Sequence, residues 1–349
     1  MFSLDDLDRA AALVYAVMPP TPQYAWPLLR QRLGVEIVVK HENHTPIGAF
    51  KVRGGIVHLD RLRGGRLSGV ITATRGNHGQ SLAFAGRHFG VPVTVVVPHG
   101  NAAEKNAAMR ALGANLVEHG RDFDDAKQHA AVLAEERGYA FFPSFHPDLV
   151  AGVATYAREL FEAFRDLDVV YVPIGLGSGI CGVIRTRDLL GLRTEIVGVV
   201  SRHANAYRLS FDAGSVMPTN SSATFADGMA VRVPDEAALR IIRAGAARIV
   251  EVLDDEVAEA IRIYHEDTHN LAEGAGAAPL AALAQERGRL AGKRQGSFSP
   301  AAISTGTGRP PSWPVERRRS AKKGKMSCKR EWEQAGWRSS PAPPAASAR

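Results

Sequence analysis

The sequence predicts an α/β fold of open, mostly parallel sheets with flanking helices. Short β-branched runs alternate with longer Ala-rich stretches, the order of strand–helix–strand units joined by crossover helices. The strand runs are apolar almost throughout, as strands covered on both faces of a sheet must be. A length of 349 residues can bury a substantial core in two domains or one large one, and no internal repeat interrupts the pattern.

In chain order, residues 36–40 (Glu-Ile-Val-Val-Lys), 69–73 (Gly-Val-Ile-Thr-Ala) and 93–97 (Val-Thr-Val-Val-Val) are the first strands, each rich in β-branched residues. Residues 169–173 and 195–200 repeat the type, and helices are predicted over 79–89, 104–112, 122–137 and 152–164. The domain arrangement this suggests is a large domain (residues 1–65 and 148–308) with a small domain (66–147) inserted in it. Residues 309–349 form a basic, Pro-rich tail that reads as a disordered extension or, less well, as a tether to an acidic surface.

The net charge of +7 belongs to that tail. It carries eleven Lys/Arg against three Asp/Glu, a net of +8, which leaves the preceding 308 residues at −1. The globular part therefore gives no sign of a nucleic-acid surface. The chain's two cysteines, Cys181 and, in the tail, Cys328, do not suggest a disulfide framework. Residues 1–12 are acidic rather than signal-like, and no run of about 18 apolar residues occurs. These features predict a cytoplasmic protein without a membrane span.

Three stretches carry chemistry. The first runs from Lys40 to Gly54 and contains Ile47-Gly48-Ala49-Phe50-Lys51-Val52-Arg53-Gly54. A lysine acting as an amine must lose its proton, which a desolvated pocket favours, although by spacing alone an exposed lysine is the better reading of Lys51. The second is Thr72-Ala73-Thr74-Arg75-Gly76-Asn77-His78-Gly79-Gln80-Ser81, between a strand and a helix. Backbone N–H groups at a helix start form an anion site, and a strand-to-helix turn with an Asn cap is the other reading. The third is Val172-Pro173-Ile174-Gly175-Leu176-Gly177-Ser178-Gly179-Ile180-Cys181-Gly182, where alternate glycines before a helix suit a phosphate cradle better than a plain turn. It is neither a Walker loop nor a dinucleotide fingerprint in its usual form.

A reactive lysine, a carboxylate loop and a phosphate cup are what a phosphorylated aldehyde cofactor and an amino-acid substrate need. On these residues, and on Ala226-Asp227-Gly228-Met229, Val252-Leu253-Asp254-Asp255 and Glu273-Gly274-Ala275-Gly276, the chain resembles the fold-type II pyridoxal-phosphate enzymes, and within them the threonine/serine dehydratases, over residues 4–293. The resemblance implies the tryptophan-synthase-β-like fold, pyridoxal 5'-phosphate as cofactor, a homo-oligomer (dimer or tetramer) and a small hydroxy-amino-acid substrate. It implies β-elimination of threonine, possibly serine, to a 2-oxo acid and ammonia, a step that for threonine feeds isoleucine synthesis. Hydroxyaspartate dehydration, serine racemisation, β-replacement and an inactive relative are its alternatives. It implies that Lys51 holds the cofactor as a Schiff base and acts as base at Cα, that Phe50 lies against the pyridine ring, and that Asn77 bonds the ring hydroxyl. It assigns the substrate carboxylate to Thr74, Arg75, Gly76, Asn77 and His78, the phosphate to Gly175, Leu176, Gly177, Ser178 and Gly179, and substrate steering to Glu273.

Two departures bear on the activity. Relatives that racemise serine carry a serine just before Gly-Asn-His as the second acid, whereas here that position is Arg75, which does not release its proton. The metal carboxylates of some relatives fall at Ser201 and Tyr207, a poor set for a hard cation, so no metal is expected there.

The C-terminus departs further. The resemblance calls for a strand leading into Ser-Gly-Gly-Asn, or a close variant whose serine meets the pyridine nitrogen, just after residue 294. Residues 295–306 instead read Gln-Gly-Ser-Phe-Ser-Pro-Ala-Ala-Ile-Ser-Thr-Gly. With one choice of codons, a shifted frame recodes residues 300–306 as Ser-Gly-Asn-Ile-Asp-Arg and residues 296–299 as Val-Val-Leu and a small residue. The chain after about Arg294 is therefore read as out-of-frame translation, and codons unable to give Ser-Gly-Asn in another frame would sink that reading. It predicts that the last sheet strand and the pyridine-nitrogen partner are lost or crudely replaced, with Ser304, Thr305 or Thr307 standing in, and that stability and activity both suffer.

Overall fold

The computed structural model describes residues 1–290 and 294–299. Its strands are β1 (Gln23–Ala25), β2 (Glu36–His41), β3 (Val70–Ala73), β4 (Val93–Val97), β5 (Asn115–Glu118), β6 (Ala140–Phe141), β7 (Val169–Pro173), β8 (Glu195–Ser201), β9 (Arg248–Val252) and β10 (Arg294–Ser299). Six of them form one sheet in the order β1-β2-β10-β7-β8-β9, and four form a second in the order β5-β4-β3-β6. Every described pairing is parallel except that of the edge strand β1 with β2. The expected α/β class, with two mostly parallel sheets, is what the molecule has.

The helices are α1 (Leu4–Tyr15), α2 (Pro27–Leu33), α3 (Lys51–Leu62), α4 (Asn77–Phe89), α5 (Ala103–Ala111), α6 (Phe123–Arg137), α7 (Pro147–Ala163), α8 (Ser178–Leu189), α9 (Ala206–Ala213), α10 (Glu236–Gly245), α11 (Asp254–Thr268) and α12 (Gly274–Glu286). They cover both faces of the larger sheet, which explains the continuous apolar runs. Val170 and Val172 of β7 face the core with α7 and α8, while Val169 and Tyr171 face the core with α11 and α12. The smaller sheet is covered in the same way: Val70, Val93 and Val95 pack with α4, and Ile71 and Val96 with alanines of α6.

Of the two outcomes expected for the last strand, loss or crude replacement, the structure has the second. Residues 294–299 are not lost from the sheet but lie between β2 and β7, Gly296 opposite Val38 on one side and Val170 on the other. The ladder uses backbone groups, so an unusual sequence still fills the slot once its side chains are accommodated. A Cβ at Gly296 would lie 3.1 Å from Leu167 and Val170, so a small residue fits that point. Gln295 donates through Nε2 to the Leu290 carbonyl, and the Ser297 hydroxyl meets that of Tyr264 at 3.1 Å. Ser304, Thr305, Thr307 and the basic tail lie outside the described residues.

Candidate active site

The site gathers at the carboxyl ends of strands, where parallel sheets leave room for ligands. Lys51 is the first residue of α3, and Phe50 precedes it. The Lys51 Nζ lies 5.0 Å from the centre of the Phe50 ring, and no described residue accepts a hydrogen bond from it. Burial pushes the Lys51 pKa down, and the opposing attraction of Glu273 does not restore it. Phe50 stands edge-on to Tyr156 at 5.8 Å between ring centres. A Cβ at Gly179 would touch the Phe50 ring at 3.7 Å, so the first and third stretches meet there.

The third stretch leaves β7, turns at Gly177 with φ +98°, and starts α8 at Ser178. That backbone angle favours glycine. A Cβ at Gly175 would fall 2.3 Å from the Gly228 carbonyl oxygen, so the chain can pass there only without a side chain. The result is a bare backbone cradle at a helix start, which fits a phosphate group.

The second stretch leaves β3 and starts α4 at Asn77. Of the amides from Thr74 to His78, two are already engaged: Thr74 N–H donates to the Val96 carbonyl, and Gly76 N–H donates to Thr74 Oγ1 at 3.1 Å. This narrows the expected carboxylate loop to the amides of Arg75, Asn77 and His78, while Thr74 shapes it through its hydroxyl. Asn77 Nδ2 donates to Glu273 Oε1 at 3.0 Å and to Oε2 at 3.3 Å. Burial pushes the Glu273 pKa up, against the pull of Lys105, Asn77 and Lys51. Arg75 is exposed. His78 is buried, its Nε2 has no hydrogen-bond partner among the described residues, and burial with the Lys51 charge lowers its pKa to about 3.

Sequence reasoning missed Lys105. Its Nζ pairs with Asp227 Oδ2 at 2.8 Å, and its chain lies against Gly76, where a Cβ would meet Lys105 Cδ at 2.7 Å. On α5 it looks like any surface-helix lysine, and nothing local points to a partner 122 residues away. Ser201 and Tyr207 are both occupied by protein groups. Ser201 Oγ lies 3.4 Å from Asp254 Oδ1, and the Tyr207 hydroxyl bonds backbone.

A family profile described as "Pyridoxal-phosphate dependent enzyme" matches residues 16–298. The chain belongs to this family of pyridoxal-phosphate dependent enzymes. Pyridoxal 5'-phosphate is accordingly its cofactor, and the cradle and desolvated lysine suit it. Among curated relatives, the biosynthetic L-threonine dehydratase of Pasteurella multocida is 32% identical over 272 residues, which cover 77% of this chain but 53% of that protein. The chain thus spans about half the length of that relative. The L-threo-3-hydroxyaspartate ammonia-lyase of Saccharomyces cerevisiae is 33% identical over 278 residues, covering 79% of this chain and 85% of that one. Among solved structures, the processed form of threonine deaminase isoform 2 from Solanum lycopersicum has a TM-score of 0.81 at 29% identity, with 87% of this chain and 91% of that one covered. Among the described residues, no helix is long and apolar enough to cross a membrane.

Proposed function

We propose that the chain is an ammonia-lyase that eliminates water from a small β-hydroxy-amino acid, L-threonine first and L-serine next, and that the resulting enamine takes water back on hydrolysis to a 2-oxo acid and ammonia. The observation that carries this is the convergence of desolvated Lys51, the 175–179 cradle and the Asn77–Glu273 pair on one site. Pyridoxal phosphate, when bound, supplies an electron sink that eases loss of the Cα proton. Lys51 would carry the cofactor and take that proton, because burial lowers its pKa and so favours the neutral amine. Phe50 would flank the cofactor ring, and Asn77 would bond its hydroxyl while Glu273 fixes the Asn77 amide. The amides of Arg75, Asn77 and His78 would hold the substrate carboxylate. The backbone of Gly175, Leu176, Gly177, Ser178 and Gly179 would hold the phosphate. Arg75 stands where a second acid would be needed for racemisation, and a guanidinium does not serve as one.

A second substrate, L-threo-3-hydroxyaspartate, is favoured by the relative of which the chain covers 85%, and by the Lys105 cation beside Gly76. The test is ammonia release from L-threonine, L-serine and L-threo-3-hydroxyaspartate by the intact protein and by Lys51→Ala. Release from L-threonine that drops on the order of 10²–10⁴-fold in the variant is the expected result. Release that Lys51→Ala leaves unchanged would overturn it. Sulfide consumption with an activated serine, without ammonia from any of the three, would point to β-replacement instead.

A further inference from the structure

Tyr207, the second residue of α9, is 1% exposed, and its hydroxyl has two backbone partners. It donates to the Leu176 carbonyl at 2.9 Å and accepts from Asp235 N–H at 3.1 Å. Asp235 in turn caps α10, its carboxylate accepting from Ala238 N–H at 2.9 Å. One phenol oxygen therefore joins the middle of the glycine cradle to the start of a packed helix. A Cβ at Gly177 would lie 3.4 Å from this oxygen and 2.8 Å from the Ala238 Cβ, so the cradle rests directly on the Tyr207–α10 support.

The consequence follows from peptide geometry. In a trans peptide the C=O and the following N–H point in opposite directions. Fixing the Leu176 carbonyl toward Tyr207 therefore turns the Gly177 N–H away from Tyr207. Gly177, at φ +98°, then leads the chain into the first turn of α8, whose N–H groups lack helical acceptors. We propose that Tyr207 is a positioning residue for the cofactor phosphate: by holding the Leu176 carbonyl, it aims the Gly177 amide into the cradle and sets the affinity for the phosphate group. This rests on the reading of residues 175–179 as the phosphate cup, and the experiment separates the two.

The apo protein is titrated with pyridoxal 5'-phosphate and with pyridoxal, which lacks the phosphate, in the wild type, in Tyr207→Phe and in Gly177→Ala. The wild type should prefer the phosphorylated ligand. Tyr207→Phe should weaken binding of pyridoxal phosphate about tenfold, the scale of one directed hydrogen bond, while leaving pyridoxal binding nearly in place and lowering the apo melting transition by a few degrees without abolishing it. Gly177→Ala disturbs the cradle itself and should lower the preference whether or not Tyr207 matters. Equal weakening of both ligands in Tyr207→Phe, including loss of both with a collapsed melt, would make the phenol a general structural contact and overturn the proposal. So would a variant that keeps the wild-type preference while Gly177→Ala loses it. A wild type that binds both ligands alike would overturn the cup reading first, and the role of Tyr207 with it.

Discussion

Lys51 illustrates how this site is set against stability. Burial disfavours its ammonium and so favours the neutral amine that the proposed reaction needs, at a standing expense to the folded state. Lys51→Met should therefore abolish ammonia release yet raise the melting temperature of the cofactor-free protein, by roughly 2–4 °C. A lower melting temperature would contradict the desolvation argument. Two imidazoles are held neutral in the same way. Burial, then the neighbouring His44, brings His41 down to about 4, and burial with the Lys51 and His58 charges brings His78 to about 3. Both lie below the ordinary histidine value of about 6.5. Between that value and pH 4 the unfolded chain binds more protons than the folded one. Stability is thus present above pH 6.5 and falls as the pH drops, by about 1.4 kcal/mol per pH unit for each imidazole. Denaturation midpoints at pH 7.5 and 5.5 should show this loss, and His78→Asn should flatten it; an equally steep slope in that variant would refute the assignment.

At the scale of elements, the position of Lys51 depends on how closely α3 meets α7. A Cβ at Gly152 would lie 2.4 Å from the Arg53 carbonyl oxygen and 2.8 Å from the Gly54 Cα, and one at Gly54 would lie 2.8 Å from the Leu149 carbonyl. These are backbone atoms that cannot rotate aside. Gly152→Ala should destabilise by about 1–3 kcal/mol and lower turnover, because α3 must move and carries Lys51 with it. Gly288→Ala, with no atom within 4 Å of the added methyl, is the neutral control in the same urea titration. The elements also show what the sequence could disclose. The three stretches around Lys51, Gly76 and Gly177 were readable because strand–turn–helix punctuation is local, and glycines mark where backbone must serve a ligand. Strand β10 was not, because Arg-Gln-Gly-Ser lacks an apolar period and is held by its neighbours' ladders. The Lys105–Asp227 pair and the Tyr207–Leu176 bond were hidden for another reason: each joins distant segments through one side chain that carries no pattern of its own.

For the molecule as a whole, the least legible feature is a charge network sealed beneath the site. Arg53, two residues beyond Lys51, pairs with Glu42 at 2.8 Å and Glu159 at 2.6 Å, while Lys40 pairs with Glu159 from β2. The four side chains are 0% (Arg53 and Lys40), 1% (Glu42) and 6% (Glu159) exposed, so two cations and two anions balance with almost no water. The Thr21 hydroxyl donates to Glu42 at 2.5 Å, and Thr155 accepts from Arg53 at 2.9 Å, so the chain before β1, β2, α3 and α7 share one cluster. Burial pushes the Glu159 carboxyl up, but Arg53 and Lys40 outweigh it and hold its pKa below the usual range. Arg53→Met leaves two buried carboxylates facing one ammonium and should destabilise by about 3–5 kcal/mol at pH 7. Arg53→Lys should recover only part of this, since an ammonium cannot bridge both carboxylates as the guanidinium fork does. The pH dependence supplies the sharper check. Without Arg53, burial dominates and raises a carboxyl pKa above its unfolded value, so that group takes up a proton in the folded state. Stability lost at pH 7 is then regained as the pH falls toward that value. The gap between Arg53→Met and the wild type should narrow from pH 7 to pH 5 in denaturant titrations. A gap that stays constant over this range would mean that the penalty is lost packing, with the charges of Glu42 and Glu159 already compensated by other groups.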